Sequence, residues 1–354
     1  MGHLPGALEN WLDGEFFKRG AFLTSTDGQT ITFAKGGDIT VVEKFLATDT
    51  PVFYLKDFYQ GQYLAFVPDS ILTIGKSNVL GYLKDQSEKQ TPLSPIENDD
   101  DLYEKDFGLL KTSFSESLKK VVLISRETYE PFEGKETIRR LMRRSFEFGA
   151  GLPYGLWNES YGVIGSTPEV LFEVKNKTLS TFALAGTGKK GEEEELLHSS
   201  KDRHEHELVV QDIREKLSGF TSDLAVYKTE VVPYNSLIHL KTDIVARILP
   251  DTDFTELTNT LSPTAALGGY PKEASLKFLQ GTHYFAKYPK RYFGSCFGLM
   301  ARDMKQFVVS IRNVQWEGQH LFIESGGGIV SQSLFEKEFE EVHLKRNTIR
   351  KHYL

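Results

Sequence analysis

Two stretches carry acidic side chains on the same face as apolar ones. Between Ser200 and Leu217, the residues Leu208, Val209, Ile213 and Leu217 fall at helical spacing. Glu205 precedes Leu208 and Val209 by one helical turn and shares their face. Asp202, Arg203, His204 and His206 crowd around it. Between Leu334 and Tyr353, Phe335, Phe339, Val342 and Ile349 form an apolar stripe, with Glu338, Glu341 and Lys345 in a line beside it. Ser333 and Glu336 have the spacing of a capping box at its start. A single glutamate on a helix is usually a surface ion-pair partner. Carboxylates from two helices that meet would suit Mg²⁺, which takes oxygen ligands and keeps several waters. His204 and His206 are poor metal ligands, because positions i and i+2 of a helix face apart. The single cysteine, Cys296, excludes a disulfide and a Cys-based zinc site within the chain.

Two glycine strings point to close backbone approach. Gly326-Gly327-Gly328 follows a strand-like segment but lacks the Lys-Ser/Thr ending of a phosphate loop and the spacing of a dinucleotide fingerprint. Its expected use is contact with a planar ligand or a neighbouring chain. Gly268-Gly269, before Tyr270-Pro271, reads equally as such a contact or as a turn.

The elements that must position these groups follow from the pattern. Short runs at Ile31–Ala34, Pro51–Lys56 and Tyr63–Val67 predict strands of a peripheral sheet layer. A polar loop spans Lys84–Asp101. Helical spacing over Leu102–Lys120 leads into a strand at Val121–Ser125, and Glu136–Phe148 is a charged helix. Leu156–Glu173 predicts a hairpin-like pair of strands, and Glu193–Phe220 one long helix. A helix lies within Ala265–Leu279. Phe307–Val314 and Gln319–Glu324 are strands about a glycine turn, and Leu334–Tyr353 is a closing helix. Alternating strands and helices predict layered sheets with outer helices.

Composition bounds the partners. The chain has 354 residues, 40% hydrophobic and 26% charged, enough for one large domain or two intimate ones. A net charge of −7 without a basic stripe argues against a nucleic-acid surface. An acidic protein that takes an anionic substrate needs a local positive site or a metal. Met1–Glu15 has no basic start and no apolar run, and no stretch reaches the roughly 18 apolar residues of a membrane span. The expectation is a soluble cytoplasmic protein.

Taken together, seven strings resemble the chorismate-using enzymes: isochorismate, salicylate, anthranilate and aminodeoxychorismate synthases. They are Gly165-Ser166-Thr167-Pro168-Glu169, Leu184-Ala185-Gly186-Thr187, Ser200 through Glu207, Ser262 through Gly269, Val309-Ser310-Ile311-Arg312, Gly326 through Val330, and Glu338-Phe339-Glu340-Glu341 with Lys345. The resemblance runs from about Lys119 to the C-terminus. It implies an α/β (α+β) fold, a layered sandwich of large mixed sheets with outer helices. Residues 1–100 would be a variable N-terminal sheet layer integral to one large domain, and residues 101–354 the catalytic region.

The same resemblance implies the site. Chorismate would be the substrate, and Mg²⁺ the cofactor, held by Glu205 and Glu341 with Glu338 close by through a water. Glu169 matches the general acid that protonates the departing C4 hydroxyl, which requires a carboxyl still protonated near neutral pH. Lys120 matches the lysine that activates water for attack at C2. Because Ile124 lengthens the string that follows, Lys119 remains an alternative. Arg312 matches the arginine that holds the enolpyruvyl carboxylate as a bidentate donor. The backbone of Gly186-Thr187 and of Gly327-Gly328 would approach the substrate carboxylates, Lys345 would add positive charge, and His239 matches the active-site histidine.

Three positions choose among relatives. Ala185 stands where aminodeoxychorismate synthases carry lysine. Lys120 stands where anthranilate synthases carry glutamine. Ala266 resembles isochorismate synthases, as does Lys201-Asp202-Arg203-His204-Glu205-His206, of the menaquinone and siderophore pathways. Ser262 departs from that group, which usually has histidine there. The expected activity is isochorismate synthase, with salicylate synthase or an amidotransferase-coupled synthase chain as the alternatives. No glutamine amidotransferase subunit, nucleic acid or membrane is expected as a partner, and the chain is expected to be a monomer or weak homo-oligomer.

Overall fold

The computed structural model describes residues 4–84, 93–149, 151–234 and 237–354; the side chains of residues 4–7, 84, 201, 205, 234 and 237 fall outside that description. Two ten-stranded sheets face each other. Period-two alternation builds the layers. In Gly20–Thr24, Ala21 and Leu23 enter the core shared by the two sheets, while Phe22 turns outward. Leu156 and Trp157 divide in the same way, as do Val163 and Ile164. On the second sheet Phe53, Leu55 and Val308 face inward, and Val52, Tyr54, Phe307 and Val309 face out.

Helices cover both outer faces. Lys135–Glu147 and the end of Phe335–Tyr353 pack on the first sheet through Ile138, Leu141, Met142, Ile349 and Tyr353. Ser200–Leu217 and Phe254–Leu261 pack on the second through Val209, Val210, Ile213, Leu217, Leu257 and Leu261. Each such aliphatic contributes roughly 1.5–3 kcal/mol by leaving water. The expected sandwich with outer helices is thus present. Its sheets are not mixed: every described ladder is antiparallel. Tight turns such as the one joining Leu152–Trp157 to Tyr161–Thr167 leave no room for a parallel crossover. Strands from the first 75 residues lie at one end of each sheet, Gly20–Thr24, Thr30–Lys35 and Ser70–Gly75 in one and Val52–Lys56, Tyr63–Val67 and Asp38–Val42 in the other.

Several boundaries differ from the sequence reading. Residues 85–92 of the expected loop lie outside the described residues; beyond them come Glu97–Asn98 and the helix Asp100–Lys111. The long helix is broken at Ser199 into Glu193–His198 and Ser200–Leu217, because the Ser199 side chain caps the second helix by accepting from the Asp202 amide. Ser333 forms no capping box: its hydroxyl donates to Glu338 at 2.7 Å, and the N-cap position is Leu334.

Two expected strands are also interrupted. The pair over Leu156–Glu173 is three strands, Leu152–Trp157, Tyr161–Thr167 and Val170–Lys175. The run Phe307–Val314 divides into Met304–Val309 and Asn313–Glu317. In both cases the chain leaves one sheet and enters the other. The crossings lie side by side, since the Val309 amide donates to Glu169 O at 2.9 Å and the Ser166 amide to Arg312 O at 3.2 Å.

Candidate active site

The paired crossings bring the acid and the arginine together. Glu169 occupies one and Arg312 the other. Burial pushes the Glu169 carboxyl up from 4.5 to about 7, although a hydrogen bond from Thr264 and the charges of Lys120 and Arg312 oppose the rise. The Thr264 hydroxyl donates to Glu169 Oε1 at 3.4 Å, and Ala266 lies partly buried in the same turn. Lys120 is therefore within electrostatic reach of the acid.

Lys120 opens the strand Lys120–Tyr129 and is buried. Its side chain runs beside Gly328, where a Cβ would stand 2.6 Å from Lys120 Cε and 3.2 Å from Nζ. Any larger residue there would push the lysine side chain aside. Lys119 points the other way, exposed, with its ammonium 6.0 Å from the centre of the Tyr270 ring. Alternation along the strand puts one lysine in and the other out.

His239 lies in Leu237–Ile248, paired with Thr187 across the ladder. Its Nδ1 is 3.2 Å from both Gly186 O and Thr187 Oγ1. Burial pushes its pKa down, and the positive charges of Arg312 and Lys345 add to the fall, against the Gly186 contact. The neutral ring that results donates from Nδ1 to Gly186 O and fixes the bulge between Ala185 and Thr187.

The last helix contributes the carboxylates. Gly327 faces it, with Glu338 Oε2 3.6 Å and Val342 Cγ2 3.5 Å from the position of a Cβ. Glu341 pairs with Lys345 at 2.7 Å, and Lys345 also donates to Gly326 O at 3.1 Å. Burial raises the Tyr103 phenol, and Glu338 and Glu341 push it further, so both carboxylates occupy one neighbourhood. Glu205 lies in Ser200–Leu217, but its side chain is outside the described residues. Among the described residues no three His, Cys, Asp or Glu side chains form a metal cage. The oxygen donors beside Gly327 nevertheless have the chemistry that Mg²⁺ takes. His204 and His206 do face apart: His204 is exposed, while His206 is buried with Nε2 2.7 Å from Thr242 Oγ1. A surface hollow of about 440 Å³ lined by Phe132, Glu159, Ser160 and Glu317 holds none of these groups.

The family model for chorismate binding enzymes matches residues 83–352. The chain belongs to the chorismate-binding enzyme family. It is similar to the isochorismate synthase MenF of Haemophilus influenzae, 30% identical over 243 residues, or 65% of this chain and 55% of that protein. It is similar also to anthranilate synthase component 1 of Aquifex aeolicus, 25% identical over 285 residues, or 74% of this chain and 57% of that protein. The chain thus spans a little over half the length of these relatives. Among solved structures, the menaquinone-specific isochorismate synthase MenF of Escherichia coli superposes with a TM-score of 0.82 at 21% identity, covering 100% of this chain and 92% of that one. That likeness is one of fold.

Within this family member the sequence reading missed one buried group. Arg346 occupies the helix stripe one turn beyond Val342 and is fully buried. Its guanidinium meets Glu127 and Asp100 at 3.0 Å each and donates to Ser125 Oγ at 2.7 Å. It ties the helix bearing Glu338 and Glu341 to the strand bearing Lys120. Its position in the stripe Val342–Arg346–Ile349 was the available signal.

Proposed function

We propose that the chain is an isochorismate synthase, which converts chorismate to isochorismate by adding water at C2 and losing the C4 hydroxyl. The observation that supports this reading is that the charge of buried Lys120 acts on the Glu169 carboxyl, while Lys119 is turned out. Lys120 acts as the base, taking a proton from water as that oxygen attacks C2. Glu169, protonated up to about 7, gives its proton to the C4 hydroxyl, which departs as water. One water enters and one leaves, so the product is an isomer.

Arg312 holds the enolpyruvyl carboxylate. The backbone at Gly186-Thr187 and Gly327-Gly328 approaches the substrate carboxylates, and Lys345 adds positive charge. Neutral His239 keeps the Gly186 bulge in place, and Ala266 leaves room beside Thr264. Glu205, Glu341 and Glu338 would hold Mg²⁺, which when bound neutralises the ring carboxylate and draws electrons from the ring. Lys120 in place of glutamine and Ala185 in place of lysine favour water over ammonia and disfavour a glutaminase partner.

Incubation with chorismate and Mg²⁺, without an ammonia source, tests the reading. Isochorismate without salicylate, pyruvate or an aminated product is expected. Salicylate with pyruvate would make the chain a salicylate synthase, and unchanged chorismate would refute the assignment. Among the described residues no helix is long and apolar enough to cross a membrane.

A further inference from the structure

Arg312 is one of four non-glycine residues with positive φ among the described residues, at 53°. Both peptide planes that define this conformation are pinned. The plane before Arg312 is held by Tyr154, whose hydroxyl donates to Ile311 O at 3.0 Å. The plane after it is held by the Ser166 amide, which donates to Arg312 O at 3.2 Å. Gly165 permits that approach, because a Cβ there would lie 2.8 Å from Arg312 O and 2.6 Å from Asn313 Cβ.

The Tyr154 hydroxyl is itself the end of a buried chain of hydrogen bonds. It accepts from Asn313 Nδ2 at 2.8 Å. Gln315 Nε2 donates to Asn313 Oδ1 at 3.2 Å and to Glu324 Oε2 at 2.8 Å. The Tyr284 hydroxyl donates to the other oxygen of Glu324. Tyr154, Asn313, Gln315, Glu324 and Tyr284 are all buried. Gln315 donates to the Asn313 oxygen, so Asn313 presents its amide nitrogen to Tyr154; the tyrosine hydroxyl lies 3.0 Å from Ile311 O, its nearer acceptor, and 3.3 Å from Ser310 Oγ. Burial pushes the Tyr154 phenol up, so it remains a donor. A left-handed arginine is costly and persists only where its surroundings over-determine it.

We propose that Tyr154, backed by Asn313, Gln315 and Glu324, is a positioning residue that holds Arg312 in its left-handed conformation and so aims the guanidinium at a substrate carboxylate. The inference rests on the reading of Arg312 as the carboxylate anchor. Tyr154 touches no substrate; it acts through the peptide plane between Ile311 and Arg312. An anchor engaged in ground and transition states alike affects KM more than kcat.

The test is a double-mutant cycle with chorismate and Mg²⁺. Tyr154→Phe should raise KM about tenfold with kcat within about threefold of wild type. Asn313→Ala should shift KM in the same direction and serves if Tyr154→Phe folds poorly. Tyr129→Phe, which removes another buried hydroxyl, bonded to Glu127, should leave KM unchanged. In an Arg312→Ala background, which itself raises KM, Tyr154→Phe should add nothing. If Arg312→Ala leaves KM unchanged, Arg312 is not the anchor and the inference falls with it. If Arg312→Ala raises KM but Tyr154→Phe and Asn313→Ala do not, or Tyr154→Phe raises it equally in both backgrounds, the inference alone is overturned.

Discussion

Replacing Glu169 by glutamine separates its charge from its shape. An unfolded glutamate ionises near 4.5, whereas the folded carboxyl keeps its proton to about 7. Below 4.5 both states are protonated, and the stability contributed by the buried neutral acid is fully present. Between 4.5 and about 7 only the unfolded chain releases the proton, so stability falls as pH rises. Above about 7 both states are ionised and the loss is complete. The gap corresponds to about 3 kcal/mol, at 1.36 kcal/mol for each pH unit. Glutamine has no charge at any of these pH values. Chemical denaturation of wild type and Glu169→Gln at intervals from pH 4.5 to 8.5 should therefore show their stability difference moving by about 3 kcal/mol in favour of the variant. Activity must follow the same proton: wild-type kcat/KM should fall above about pH 7, and Glu169→Gln should lose ~10²–10⁴-fold at all pH values. A stability difference that stays flat with pH would show that the carboxylate is not penalised by burial. Near-wild-type turnover by the variant would remove Glu169 from the mechanism.

Three further outcomes follow from the site. Excess chelator should abolish turnover and Mg²⁺ should restore it, while Glu341→Gln should lose most metal-dependent activity with an unchanged circular dichroism spectrum; full turnover in chelator refutes the metal. Lys120→Ala should abolish isochorismate formation and Lys119→Ala should not, as read by product chromatography; the reverse result would move the base to the exposed lysine. Arg346→Met should destabilise the fold by about 3–5 kcal/mol in denaturant titrations, because it leaves buried Glu127 and partly buried Asp100 without their guanidinium; a loss below 1 kcal/mol would mean that water or Arg350 replaces it.

The parts legible in the sequence were those written in contiguous residues. Glu169 and Arg312 each sit in a short string whose order could be read directly, and the stripe of Val209, Ile213 and Leu217 marked a packed helix face. Which of Lys119 and Lys120 is buried needed the pleat, which depends on strand register. Arg346 was harder still. Its partners Asp100 and Glu127 are more than two hundred residues away in the chain, and an arginine in a charged helix is ordinarily solvated. The break at Ser199 carried no glycine or proline to mark it; it rests on a serine cap that competes with helix continuation only in the folded arrangement.

The two strands that sequence patterning ran together are the two that carry Glu169 and Arg312 of the proposed site. Val170 and Val309 continue the apolar alternation of their strings, so nothing in the hydrophobic pattern ends a strand at Thr167 or Val309. The chain nevertheless changes sheets at both places, at Pro168-Glu169 and at Ser310–Arg312. A residue in mid-strand must point either into the inter-sheet core or out toward a helix. A residue at a crossing does neither, and its side chain can lie in the gap where the sheets part. Glu169 and Arg312 occupy such gaps, joined by the Val309 and Ser166 amides, and each keeps a functional group that a regular strand would have buried in hydrocarbon or given to solvent. Local rules fail at these positions because the left-handed turn at Arg312 is stabilised by Tyr154 and Ser166, which arrive from another part of the chain.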